Sequence, residues 1–207
     1  MLRMAYGLLF SIVTALVGCG SSTPQVVVTP MSPEGETAFE NGVDFIDDPS
    51  LLEGSWLDNW ESEIEHRVTL ADAIAIVHVT TVRRDTDLEH HDTYHVVAAV
   101  DNVRFGDVSG EISLSAREGE GGFGTIAGND DRLLQPPADH PDHFILYMKW
   151  TRGEDGVLVP RWHMSPAGTS VVQRVNSLIE MRRQSSDARR RVIVHTTTEQ
   201  TDDDDSN

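Results

Sequence analysis

The run Ala71-Asp72-Ala73-Ile74-Ala75-Ile76-Val77-His78-Val79-Thr80-Thr81-Val82 constrains the fold more than any other stretch. It is long, β-branched and almost uninterrupted by polar residues. Such a run reads as a strand covered on much of both faces. A strand of that kind needs partners, and the residues after it supply them. Thr93 to Phe105 alternates, with Tyr94, Val96, Ala98 and Val100 on one face and Val97 and Ala99 on the other. Gly106 ends it, and Glu111-Ile112-Ser113-Leu114-Ser115-Ala116 alternates again as a third strand. Phe144 to Trp150 forms a fourth and Val157 to His163 a fifth, joined by a turn at Gly153-Glu154-Asp155-Gly156. An Asp-Gly pair between two β-rich runs is a hairpin signal. The charged stretch Arg83 to Asp92 and the Gly-, Asp- and Pro-rich stretch Gly119 to His143 read as loops.

Helical periodicity is confined to the flanks. Ser55 to Glu65 reads as a short helix capped by Ser55, with Trp56, Leu57, Trp60 and Ile64 at helical spacing. From about Val171 a second, amphipathic helix places Val171, Val172, Val175, Leu178 and Ile179 on one face, with Ser170 and Gln173 at capping-box spacing. Val192-Ile193-Val194 reads as a late strand. The expected class is mainly β (α+β), a small five- to six-stranded barrel with one helix before it and one after. The expected organisation is a leader over 1–18, a tether over 19–50 and the helix-plus-barrel over 51–168. The C-terminal helix and a short extension follow over 169–195, and an acidic tail over 196–207.

The order "Ala-Asp-Ala-Ile-Ala-Ile-Val-His-Val", "Tyr-His-Val-Val-Ala-Ala-Val-Asp-Asn-Val-Arg-Phe-Gly", "Gly-Glu-Ile-Ser-Leu" and then a late hairpin resembles the small OB-type barrel of bacterial secreted proteins. It is similar to netrin-like domains, which include tissue inhibitors of metalloproteinases. The resemblance spans roughly Ala71–Ser165 and implies a five-stranded barrel with no catalytic residue attached to it. Those inhibitors use a free N-terminal Cys on zinc. That activity does not carry over, because the Cys of this chain lies far from the barrel and is committed elsewhere.

The second resemblance concerns that Cys. Leu16-Val17-Gly18-Cys19 resembles the lipobox of bacterial lipoproteins and follows Arg3 and an apolar run from Ala5 to Val17. It implies cleavage between Gly18 and Cys19, acylation of Cys19 and attachment to membrane through lipid. Gly20 after the Cys implies the outer membrane, with the domain facing the periplasm or the cell surface. As Cys19 is the sole Cys, no disulfide is available and the domain rests on its core. The formal charge of −18 becomes −19 on loss of Arg3, which excludes general nucleic-acid binding for want of a positive field.

Candidate ligands for a metal are His90, His91 and His95 near the start of the second strand, with His140 and His143 in the loop before the fourth. His78, set between apolar neighbours, reads as a core or rim residue. Trp56, Trp60, Trp150 and Trp162 are candidate stacking platforms for sugar rings, against the plainer reading of core aromatics. Arg182, Arg183 and Arg189–Arg191 suit a helix C-terminus or an acidic surface. Gly119-Glu120-Gly121-Gly122-Phe123-Gly124 matches a dinucleotide fingerprint in letters but lacks the helix that must follow it. No motif implies a cofactor or a nucleophile. The expectation is a non-enzymatic envelope lipoprotein that binds an envelope protein or polymer. Carbohydrate or peptidoglycan binding and a His-based metal protein or hydrolase stand as alternatives.

Overall fold

A computed structural model describes residues 31–138, 140–152 and 156–198, with side chains described as far as residue 186. The leader, Cys19 and the end of the acidic tail lie outside these residues. Six strands form one sheet: β1 (Gly42–Val43), β2 (Ala73–Thr86), β3 (Asp92–Phe105), β4 (Glu111–Arg117), β5 (Phe144–Arg152) and β6 (Leu158–Pro166). Their spatial order is β1-β6-β5-β2-β3-β4. The β2-β3-β4 meander is antiparallel, and β5 returns to lie antiparallel beside β2, which makes a Greek key. The class is α+β, with a curled six-stranded sheet at its centre. The curl brings the two ends of the sheet together: the Trp162 indole of β6 donates to the Ser115 carbonyl of β4 at 2.9 Å.

Strand alternation sorts the apolar residues into two cores. Val77, Val79, Val96, Ala98, Leu114, Leu146, Met148, Trp162 and Met164 point into the curl. Ile74, Ile145 and Tyr147 point outward, beneath α1 (Pro33–Ala38), α2 (Ser55–Leu70) and α5 (Thr169–Thr198). The stretch expected as a plain loop carries α3 (Phe123–Ile126) and α4 (Asp130–Leu134), whose Ile126 and Leu133 plug the inner core.

Several expectations need correction. Residues 31–50 of the expected tether are built into the domain. Phe39 is fully buried, β1 pairs in parallel with β6, and Asn41 N–H donates to the Trp162 carbonyl at 2.9 Å. Few apolar residues suffice here because the sheet offers them an existing core. Gly54, not Ser55, caps α2, and the helix runs on to Leu70. Arg83 to Thr86 extends β2 as one side of a long ribbon instead of forming a loop. Ser170 lies inside the first turn of α5, and Val192-Ile193-Val194 continues that helix, with no strand beside it in the sheet.

The glycine run has a packing role. A Cβ on Gly122 would stand 2.4 Å from the Gly42 Cα, so β1 and the start of α3 touch backbone to backbone. A side chain at either position forces them apart. Gly122→Ala is expected to cost about 1–3 kcal/mol of unfolding free energy. Phe39→Ala should cost about 3–5 kcal/mol. Denaturant melts check both, and a loss under 1 kcal/mol for Phe39→Ala would return residues 31–44 to the tether.

Candidate functional site

The outer face of the sheet carries the chemistry that the helices leave uncovered. With Val77 and Val79 in the inner core, His78 must point outward, and the same alternation along β3 turns Asp101 outward. Phe144 starts the inner row of β5, so His143 before it also faces out. The three meet. His78 Nδ1 lies 2.8 Å from Asp101 Oδ2, and His143 Nε2 lies 3.5 Å from the same oxygen. The other His143 nitrogen, Nδ1, bonds the Asp142 carboxylate, which holds that carboxyl below its ordinary range. The two imidazole rings meet edge-on with centroids 6.0 Å apart.

The histidines expected to cluster do not. His91 sits at the β2–β3 hairpin tip near Asp87 and Glu89. There the Asp87 carboxylate accepts the Glu89 and His91 amides at 2.9 Å each, and His90 takes a left-handed φ of 66°. That is the hydrogen-bonding of a turn. His95 lies 3.5 Å from Asp85, and His140 pairs with Asp47 at 2.7 Å. Of the expected set, His91 groups only with the Asp87 and Glu89 carboxylates, and His143 alone meets a second imidazole, with His78 and Asp101 as its partners. His78 stands at the rim of the sheet, and the register that sets it beside Asp101 cannot be seen in one strand alone.

The tryptophans also part company. Trp60 and Trp162 are buried in different cores, Trp150 packs partly against the inner one, and Trp56 stands 74% exposed on the first turn of α2. They offer no shared platform. Arg182 is not a free cation: its guanidinium donates to the Val68 and Ala71 carbonyls at 2.7 and 2.8 Å and stacks on Phe105. It closes the C-terminus of α2.

A second constellation is buried between β1, β6 and α2. One Asp44 oxygen accepts from Ser165 Oγ at 2.6 Å, His163 Nε2 at 3.1 Å and Arg67 at 3.3 Å. Burial pushes the Asp44 carboxyl up, but His163, Arg67 and Ser165 outweigh it and hold it below the ordinary range. Burial, and then the Arg67 charge, push His163 down, so a neutral ring donates Nε2–H and its Nδ1 has no partner among the described residues. Burial, and then the Asp44 charge, raise the Tyr147 phenol nearby, against the opposing pull of Arg67 and Ser165. Ser165 donates to Asp44 and not to His163, and it is fully buried. A nucleophile needs its base against it and a substrate within reach. The set reads as a structural clamp.

Comparison with protein-family models, curated proteins and solved structures returned no match for this chain.

The clamp makes a prediction about pH. A His whose folded value is depressed binds a proton more readily unfolded than folded. Its contribution is therefore complete above 6.5, its ordinary value, and falls as pH drops from there towards the folded value. The slope contributed is up to about 1.4 kcal/mol per pH unit. His163→Gln can still donate to Asp44 but cannot titrate. Denaturant melts at pH 7.5 and 5.5 should show a smaller acid loss in this variant than in the parent chain.

Proposed function

We propose that this chain is a lipid-anchored cell-envelope protein, attached through Cys19, whose domain binds an envelope protein or other envelope component without catalysing a reaction. The anchoring rests on the likeness of Leu16–Cys19 to a lipobox. The placement that follows is the outer membrane, with the domain facing the periplasm or the cell surface. Binding rests on one observation. Beyond Val77, β2 has no second strand beside it among the described residues, and the outer face of β2, β3 and β4 carries an open groove of about 340 Å³. Thr81, Arg83, His95, Val97 and Ser113 line it, mixing apolar and hydrogen-bonding groups as an adaptable contact surface does.

The OB-type relationship belongs to the same proposal. Five strands, β2 to β6, form a Greek key whose ends are bridged by the Trp162–Ser115 hydrogen bond. OB folds are partly open five-stranded barrels that offer one strand face and its loops to ligands. The groove lies on the corresponding face. The separation of the four tryptophans disfavours the sugar-stacking alternative and leaves a protein partner preferred.

Two measurements test the reading. Cys19→Ser should move the protein from the membrane to the soluble fraction of the cell. A photo-crosslinking residue at Val97 or Ser113 should capture one defined envelope component in intact cells, while the same residue at Glu61 on α2 should not. Equal capture from all three positions, or none from the groove, would contradict the assignment of the face.

A further inference from the structure

We propose that His78, Asp101 and His143, brought together from β2, β3 and the residue before β5, bind a divalent first-row cation, zinc by preference. This goes beyond the envelope-binding reading and does not depend on it. Zinc takes imidazole nitrogen and carboxylate oxygen at about 2.0–2.2 Å in a tetrahedron, which sets neighbouring ligand atoms about 3.3 Å apart. The separations here are 2.8 Å between His78 and Asp101 and 3.5 Å between His143 and Asp101. The three ligand atoms all fall within 4.8 Å of one another.

Electrostatics favour the cation as well. Among the described residues, Asp101 forms ion pairs only with these two rings. At 2.8 Å the His78 Nδ1–H donates to the carboxylate in the ion-free site, while His143, its Nδ1 held by Asp142, presents the Nε2 lone pair. A divalent ion takes the place of that hydrogen, the His78 proton moving to Nε2 so that Nδ1 offers its lone pair.

The second shell adds an independent mark. His143 gives its Nδ1 to Asp142 and presents Nε2 to the site. This is the carboxylate–histidine–metal arrangement, which fixes the tautomer and makes the ring a better ligand. The other acidic cluster, Asp87, Glu89 and His91, has no such support. Its Asp87 gives one oxygen to turn amides and the other to Arg117.

The three side chains are 44%, 35% and 41% exposed. Three protein ligands at a wet surface leave the fourth position to water or to an incoming group, as in exchangeable rather than structural zinc sites. The site would therefore take a ligand from a partner or release its ion, and the fold does not require the ion.

The test is a calorimetric titration of the full chain, purified in mild detergent, with zinc chloride at pH 7.5. Cobalt serves as a spectroscopic stand-in, through its visible bands. The expected result is one ion per chain. Asp142→Asn should weaken binding about 10–100-fold. His78→Ala and His143→Ala should each weaken it by more than Asp142→Asn does. His91→Ala should leave binding unchanged. Because all three ligands are exposed, the variants should keep the metal-free melting temperature of the parent. His78→Gln and His143→Gln serve in place of any alanine variant that does not. No saturable binding, binding indifferent to His78 and His143, or equal loss in His91→Ala would overturn the site.

Discussion

One carboxylate oxygen ties this fold together. Asp44 Oδ2 accepts from α2 through Arg67 and from β6 through His163 and Ser165, while Arg67 also reaches the Ala38 carbonyl and Glu63. A buried charge is costly unless fully paired, and its partners must then stay in place. The clamp therefore fixes the segment after β1 against both the sheet and α2. The backbone contact of Gly42 with Gly122 sets the same segment against α3 on its other side. Order in the N-terminal residues is thus a consequence of the sheet, and any tether from the proposed anchor has to end before them.

A second constraint is the unequal length of neighbouring strands. β2 pairs with β3 along its length but with β5 only over Ala73–Val77. The helices cover the outer face where Ile74, Ile145 and Tyr147 lie, and that part is dry. Past Val77 β2 has β3 on one side only, and its outer face opens to solvent while Val79 and Val82 still pack on the inner core. His78, Asp101 and His143 sit at this boundary, where strands still fix side-chain direction but water already has access. A rigid support with an open side is what an exchangeable ligand site needs.

Much of the fold was legible. Strand runs, their alternation and the β5–β6 hairpin could be read because burial on two faces imposes a period of two on the residues themselves. The N-terminal strand was not legible. Two residues, Gly42 and Val43, carry no period, and their order comes from partners about 120 positions away in β6. The ribbon extension through Arg83–Thr86 is polar because nothing covers it, so it looked like a loop. The site was half legible. The Asp142-His143 pair lies next to an apolar strand, and the alternation of β2 and β3 turns His78 and Asp101 outward. Only the register, His78 opposite Ala99, brings them together. The fingerprint-like glycines pack on β1 through Gly122 and Gly42, a contact between residues 80 positions apart that no local pattern signals.

The central claim is that the folded domain begins ahead of β1 and is clamped there by Asp44. Amide hydrogen exchange on the full chain tests it most directly. The Asn41, Val43 and Asp44 amides donate to the Trp162 carbonyl, Thr125 Oγ1 and the Met164 carbonyl at 2.9, 2.9 and 3.0 Å. The account predicts that they exchange as slowly as the amides of β6, and that Asp44→Asn speeds them selectively. Exchange at the rate of an unstructured chain in residues 41–44, with β6 still protected, would contradict it.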